Sequence, residues 1–342
     1  VSGEDGRASI RRHAARVGHL ELGPGAEFDL IRELFSQLAD GARGAGGDCA
    51  VLEVPADAKL LLSVDTSVEN VHFRRSWIAP REIGYRATAA ALSDLAAAGA
   101  TPIAILLAVS APPAWLGDLP AVAAGVGAAA RDAGTVVVGG DTTAGRDLTL
   151  TLAVAGASEH PLSRAGARPG DHVYVSGRLG GPAAAVRAWT GGAEPDAATR
   201  ERFAHPVPRL REGRWLAAHG ATSAIDVSDG LVADLRHLAA ASAVSLSIDL
   251  DRVPRWPGTT VIEAASGGEE YELAVTAGKH FDVAAFEREF GVPLAHVGEV
   301  VAGGAGVEAR ASGVRVAPIP GYNHFSASPP RAPRGRGIEP PR

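Results

Sequence analysis

Short apolar runs alternate with alanine-rich segments from Lys59 onward, and a chain written this way covers its strands with helices, so the fold class is α/β. Lys59 to Val64 predicts a buried strand that ends at Asp65. Pro80 opens and Gly99 closes an alanine-rich helix over Arg81 to Ala98. Ile103 to Val109 reads as strand and Leu119 to Ala133 as helix. Thr135 to Val138 reads as a strand running into Gly139, Gly140 and Asp141, and Leu148 to Ala155 as a further strand. Thr149, Thr151 and Ala153 alternate with larger residues, which suits an antiparallel layer as well as a parallel one, so strand direction stays open. Upstream, Phe28, Ile31, Leu34, Phe35 and Leu38 lie at helical spacing and predict an amphipathic helix over Glu27 to Leu38.

A second α/β series follows a turn-rich stretch, Pro161 to Gly170, which is the candidate domain boundary. It comprises a strand at His172 to Ser176, helices near Pro182 to Trp189 and Arg209 to Ala218, a strand at Ser223 to Val227 and a helix at Gly230 to Ala241. Asp226, Ser228 and Asp229 then occupy a strand-to-helix turn. Gly267 and Gly268 introduce a strand at Glu270 to Val275, and Val307 to Val316 reads as a hairpin around Ser312 and Gly313. The expected organisation is a leader over 1–26, an N-terminal domain over 27–160, a C-terminal domain over 161–325 and a tail over 326–342. The tail is rich in Pro, Arg, Gly and Ser and is expected to be disordered.

At 342 residues and 46% apolar content the chain can fill two cores. Thirty-three basic against 39 acidic residues leave a formal charge of −6 with no long run of one sign, which argues against a broad grip on nucleic acid. The apolar runs fall far short of the ~20 residues a membrane-spanning helix needs, and Val1 to Val17 lacks the layout of a secretory signal. The lone cysteine, Cys49, excludes an intrachain disulfide, reads as a small packed residue and fits a reducing compartment, by default the cytoplasm.

The chemistry is written in six isolated aspartates, Asp48, Asp65, Asp94, Asp141, Asp226 and Asp229, each beside a glycine, small residue or hydroxyl at the end of an apolar segment. Any one of them is ordinarily a cap or an Asx-turn. Six in this style suggest carboxylates gathered around cations, and Mg²⁺ is the usual partner when the substrate also brings phosphate oxygens.

Their order is that of a known family. Gly47-Asp48-Cys49-Ala50-Val51-Leu52, Ser63-Val64-Asp65 and Val71-His72-Phe73 come first, followed by Leu92-Ser93-Asp94-Leu95-Ala96 and Gly139-Gly140-Asp141-Thr142-Thr143. Arg164-Ala165-Gly166, Ile225-Asp226-Val227-Ser228-Asp229-Gly230-Leu231, Ser266-Gly267-Gly268-Glu269-Glu270-Tyr271 and Gly321-Tyr322-Asn323-His324-Phe325 continue the series. From Glu27 to Phe325 the chain resembles the thiamine-monophosphate kinases of the aminoimidazole ribonucleotide synthetase-like superfamily. The resemblance implies a two-domain fold, with a dimerising N-terminal α/β domain that binds ATP and Mg²⁺ and a C-terminal α/β domain that completes the site. It further implies a homodimer, and direct transfer of the ATP γ-phosphoryl to thiamine monophosphate.

Position by position, the resemblance assigns Asp48, Ser63, Asp65, Asp94, Asp141, Asp226 and Asp229 to several Mg²⁺ ions, with Asp48, Asp65 and Asp229 central to catalysis. It assigns Gly140, Asp141, Arg164 and Ser228 to the nucleotide, with Thr142 and Thr143 as further contacts, and His72, Glu269 and the position of Ile319 to the acceptor. Several residues depart from the family pattern. Gly47 stands for an aspartate, Val64 for a threonine, Glu270 for an aspartate, Arg86 for a lysine, Ala91 for an asparagine, and Ile319 for a tryptophan that could stack on the pyrimidine. Two alternatives follow from these departures: another ATP-dependent enzyme of the superfamily with a different acceptor, or a noncatalytic nucleotide-binding descendant.

Overall fold

The structure is a computed structural model that describes residues 26–38 and 49–322. Asp48, most of the expected leader, the expected tail and Asn323 to Phe325 lie outside the described residues.

The first half is a helix-covered sheet. After α1 (Ala26–Leu38), strands β1 (Lys59–Val68), β2 (Thr101–Ala111), β3 (Val137–Ala144) and β4 (Thr149–Ser158) form a four-stranded sheet of order β1-β4-β2-β3. β4 runs antiparallel to both β1 and β2, whereas β2 and β3 are parallel. The sheet is therefore mixed, and α3 (Leu119–Asp132) makes the β2–β3 crossover. α2 (Pro80–Ala97) begins on Pro80, is closed by a capping pair between Ala79 and Glu82, and buries its alanine-rich length. α2 and α3 approach backbone to backbone. A Cβ on Gly84 would stand 2.0 Å from the Val122 carbonyl oxygen, and one on Gly125 would stand 1.8 Å from that of Arg81, so only glycine fits at either point.

The second half places β5 (His172–Ser176), β6 (Ala221–Asp226), β7 (Ser245–Asp249), β8 (Leu273–Ala277), β9 (Leu294–Val301), β10 (Gly306–Ala311) and β11 (Val314–Arg315) in a sheet of order β11-β10-β7-β9-β5-β8-β6. All neighbours are antiparallel except β7 and β10. Around it lie α4 (Gly181–Thr190), α5 (Ala197–Ala204), α6 (Leu210–Ala218), α7 (Leu231–Ser242), α8 (Val261–Ser266) and α9 (Val283–Phe290). One apolar cluster joins the halves, running from Leu34, Ile83 and Leu92 to Phe203, Leu216 and Phe286. A second lies between α7 and its sheet, with Leu235, Leu246 and Val297 at its centre. None of the described helices is long and apolar enough to cross a membrane.

Three expected boundaries move. β1 continues past Asp65 to Val68, so that carboxylate projects from mid-strand, paired opposite Leu152, rather than from a strand end. Gly139, Gly140 and Asp141 lie within β3, hydrogen-bonded along β2. The strand expected from Glu270 begins only at Leu273, because Glu269 and Tyr271 adopt left-handed φ values of 61° and 52° that a strand excludes. Cys49 is exposed, contrary to the packed position expected of it, at a bend ahead of β1.

β1 also divides the molecule's surfaces. Its alternation sends Leu61, Ser63 and Asp65 towards α2 and Leu60, Leu62 and Val64 outward, where they are 48%, 71% and 64% exposed.

Candidate active site

Two adjacent residues of α2 tie the halves together. Successive helical side chains point about 100° apart, and here Asp94 meets β1 while Ser93 meets β6. The Ser63 hydroxyl donates to Asp94 Oδ2 at 2.5 Å, and the Ser93 hydroxyl donates to Asp226 Oδ2 at 2.5 Å. Asp226, the last residue of β6, is thereby brought beside Asp94, with Asp65 nearby.

The three carboxylates disturb one another. Burial, then the Asp94 charge, pushes Asp226 up to about 7, against the Ser93 hydrogen bond and the Arg164 charge. Burial also raises Asp94; the Ser63 hydrogen bond opposes this and the Asp65 charge adds to it. Buried like charges of this kind are relieved by holding a proton or by a nearby cation.

Beyond β6 the chain turns into α7 under the control of Asp234, a residue that carried no signal in the sequence. Its Oδ2 accepts the backbone N–H groups of Ser228, Asp229 and Gly230 at 3.0, 3.1 and 3.1 Å. The turn carrying Asp226, Ser228 and Asp229 is thus fixed from behind. Burial, then the Asp226 charge, lifts Asp234 to about 7 despite these bonds. The 267–271 loop is laced to the same turn, with Glu269 N–H donating to the Ser228 carbonyl at 2.7 Å and Tyr271 N–H to the Val227 carbonyl at 2.9 Å.

These elements enclose a cleft of about 1170 Å³ between the halves, large enough for two small ligands. Asp65, Asp94, Asp226, Ser228 and Asp229 line one part of it, and His72, Trp77, Glu269 and Tyr271 another. The His72 Nδ1 accepts the Val68 N–H at 3.0 Å, which leaves its proton on Nε2. Arg164 sits outside the lining, yet its charge favours the ionised forms of both Asp94 and Asp226. Further along the wall, Arg187 pairs with Glu263.

Other expected residues lie elsewhere or differently. Asp141 is exposed on β3, the opposite edge strand from Asp65, which at ~4.8 Å per strand places it ~14 Å away across the sheet. Gly140 needs no ligand to explain it, since a Cβ there would lie 1.8 Å from the Leu107 carbonyl oxygen. Gly140, Asp141 and Thr142 instead border a cavity of about 50 Å³ beneath α1, and the Thr142 hydroxyl is buried without a hydrogen-bond partner among the described residues. Thr143 is exposed.

Ile319 reaches the cleft but is only 6% exposed and packs into the second core, its carbonyl held by Arg236 Nη2 at 2.6 Å. A tryptophan, Trp77, lines the cleft from the other half, already packed by neighbours, with the Arg74 guanidinium 4.7 Å over its ring. It is stacked on Trp189 with ring centroids 5.2 Å apart and planes 7° from parallel. Glu270 does not line the cleft. It is fully buried, accepts the Gly180 N–H at 2.5 Å, pairs with Arg202, and is pushed by burial to about 8.

Outside the cleft lining, His172, His296 and Glu299 bring potential ligand atoms within 4.8 Å of one another. The two imidazoles stack face to face at 4.1 Å, and both nitrogens of His296 are engaged, by Arg252 and by the Gly298 carbonyl. Coordination needs lone pairs converging in the ring planes, so this cluster reads as a packed pair.

Comparison with known proteins matches residues 46–158 to the AIR synthase related protein N-terminal domain and residues 168–309 to the corresponding C-terminal domain. Thiamine-monophosphate kinase of Salmonella typhimurium is 34% identical over 324 residues, covering 88% of this chain and 98% of that protein. The crystal structure of thiamine-monophosphate kinase from Stenotrophomonas maltophilia superposes with a TM-score of 0.72 at 33% identity, covering 84% of this chain and 97% of that one. The structure of AaThiL complexed with AMPPCP and TMP superposes with a TM-score of 0.70 at 28% identity, covering 80% and 90%.

Proposed function

Because the chain belongs to the thiamine-monophosphate kinases of the AIR synthase related family, we propose that the cleft between its two sheets is where ATP phosphorylates thiamine monophosphate to thiamine diphosphate. The observation that carries this reading is the convergence of Asp65 and Asp94 from the first half with Asp226 and Asp229 from the second, on a cleft that also holds His72 and Glu269.

Phosphoryl transfer asks a protein chiefly to align two anions and to offset their charge, so neither an activated nucleophile nor a phosphoenzyme is required. The hard oxygen donors of Asp65, Asp94, Asp226 and Asp229, two of them raised by burial and like charge, fit Mg²⁺. We assign Mg²⁺ to them, with Ser63 alongside and Asp48 from beyond the described residues; bound there it would offset the charge of the phosphates and of the carboxylates together.

The chain's own residues set the geometry. Ser63 and Ser93 hold two carboxylates in place, Asp234 fixes the turn bearing two more groups, and Arg164 adds positive charge beside the cluster. Ser228 and Arg164 are assigned to the nucleotide; His72, Glu269 and Trp77 are assigned to the acceptor. Asp65 and Asp229 are placed nearest the transferred group. Gly140 and Asp141, on the far edge of the sheet, would meet a nucleotide only if it reaches that edge. Functional domains over 27–160 and 161–325 fit this division of labour, and the cytoplasm supplies both substrates.

A direct assay decides the assignment. Purified protein with ATP, Mg²⁺ and thiamine monophosphate is expected to form thiamine diphosphate and ADP, and to stop when a chelator is added. Folded protein that binds both substrates and forms no thiamine diphosphate would remove it.

The outer face of β1 points to the assembly. Leu60, Leu62 and Val64 form an exposed apolar row on an edge strand, a surface that a soluble monomer seldom leaves uncovered. We infer a homodimer through this face. Leu62→Glu is expected to shift the sedimentation coefficient from dimer to monomer, and an unchanged dimer would place the interface elsewhere.

A further inference from the structure

We propose that Arg86 is a positioning residue for the acceptor: it holds the Glu269 carboxylate at a fixed place on the cleft wall and couples that place to the metal-binding end of the same helix. The proposal rests on reading the cleft as the kinase site. Arg86, Ala90 and Asp94 stand at i, i+4 and i+8 on α2 and so share one face. At 1.5 Å per residue this face spans ~12 Å along the helix. At one end Asp94 joins the carboxylate cluster. At the other, Arg86 Nη2 donates to Glu269 Oε2 at 2.5 Å.

Arg86 has nowhere else to go. It is 3% exposed, its Nη1 donates to the Phe203 carbonyl, and its guanidinium lies 3.7 Å over the Phe203 ring. Glu269 is constrained in turn by its left-handed backbone and by the bond from its N–H to Ser228. If Glu269 moved away, a buried guanidinium would lose its partner, a strongly unfavourable state. The carboxylate side chain nevertheless remains 26% exposed on the cleft. Paired in this way, Glu269 offers the acceptor a fixed hydrogen-bond acceptor whose charge is already matched. The fork geometry matters, since a guanidinium serves Glu269 and the Phe203 carbonyl at once, whereas an ammonium offers a single point of charge.

The test separates positioning from general damage. Arg86→Met is expected to raise KM for thiamine monophosphate about 10-fold, with kcat and the KM for ATP changed by less than about 3-fold. Arg86→Lys, which keeps the charge without the fork, is expected to recover only part of that loss. Glu269→Gln, on the cleft surface, covers the case in which Arg86→Met does not fold, and should show the same KM signature. The double variant Arg86→Met/Glu269→Gln should be no worse than the poorer single one. Equal losses in kcat and both KM values, additive effects, or an unchanged acceptor KM would overturn the proposal. Wild-type turnover of thiamine monophosphate in the same experiment tests the kinase reading separately.

Discussion

Asp226→Asn is expected to lower turnover about 100-fold or more while raising the melting temperature of the metal-free protein at pH 8, by ~4 °C. Both effects have one source. Asp226 is buried beside Asp94 and Asp65, and burial with their charge pushes it up to about 7. A carboxyl whose folded value lies above its ordinary one binds its proton more tightly in the native state. Its contribution to stability is therefore complete at low pH and is lost as pH rises from about 4 to about 7. Asparagine keeps an oxygen for the Ser93 hydroxyl and removes the charge, so the apo protein gains at pH 8 and the metal-binding set proposed above loses a member. Mg²⁺ should raise the melting temperature of the wild type by mass action and that of the variant much less. Thermal melts at pH 5 and pH 8, with and without Mg²⁺, read all of this; full activity, or a variant less stable than wild type at pH 8 without metal, would refute it.

Gly125→Leu is expected to cost ~3 kcal/mol or more of stability and most of the activity. The position sits where α3 meets the Arg81 carbonyl of α2, and any Cβ there falls at 1.8 Å from that oxygen. The helices must separate, and α2 is the element that carries Arg86, Ser93 and Asp94, so packing damage becomes site damage. Gly117→Ala is the control, because a Cβ at Gly117 meets nothing within 4 Å. Denaturant midpoints with kcat for both variants give the comparison, and a Gly125→Leu protein as stable as the control would show that the helices have room to spare.

Periodicity alone revealed α2, α3 and most strands, because their runs are long and bounded by Pro or Gly. It missed α5, whose Thr-Arg-Glu-Arg stretch is mostly polar, and β9, whose His296, Gly298 and Glu299 interrupt the apolar pattern although it lies inside the sheet. The site was legible where chemistry sits in short motifs: Asp65, Asp94, Asp226, Asp229, His72 and Glu269 all meet at the cleft. The residues that hold them were not. Asp234 looks like an ordinary helix acid until its three backbone donors are seen, and Arg86 looks like a solvated charge until α5 and the 267–271 loop close over it. Such roles arise from distant partners and leave no local spacing to read. Ile319 shows the converse, a motif position whose side chain the fold packs into the second core.

The two faces of β1 are spelled in a frame of two letters, with the carboxylate-bearing side in one phase and the exposed apolar side in the other. Adding one residue between Lys59 and Leu60 would exchange those phases, sending leucines into the acidic cleft and the serine and aspartate onto the outer surface. Length variation among relatives should therefore be excluded from this strand, or occur only in pairs, while the stretch just before Lys59 remains free to grow.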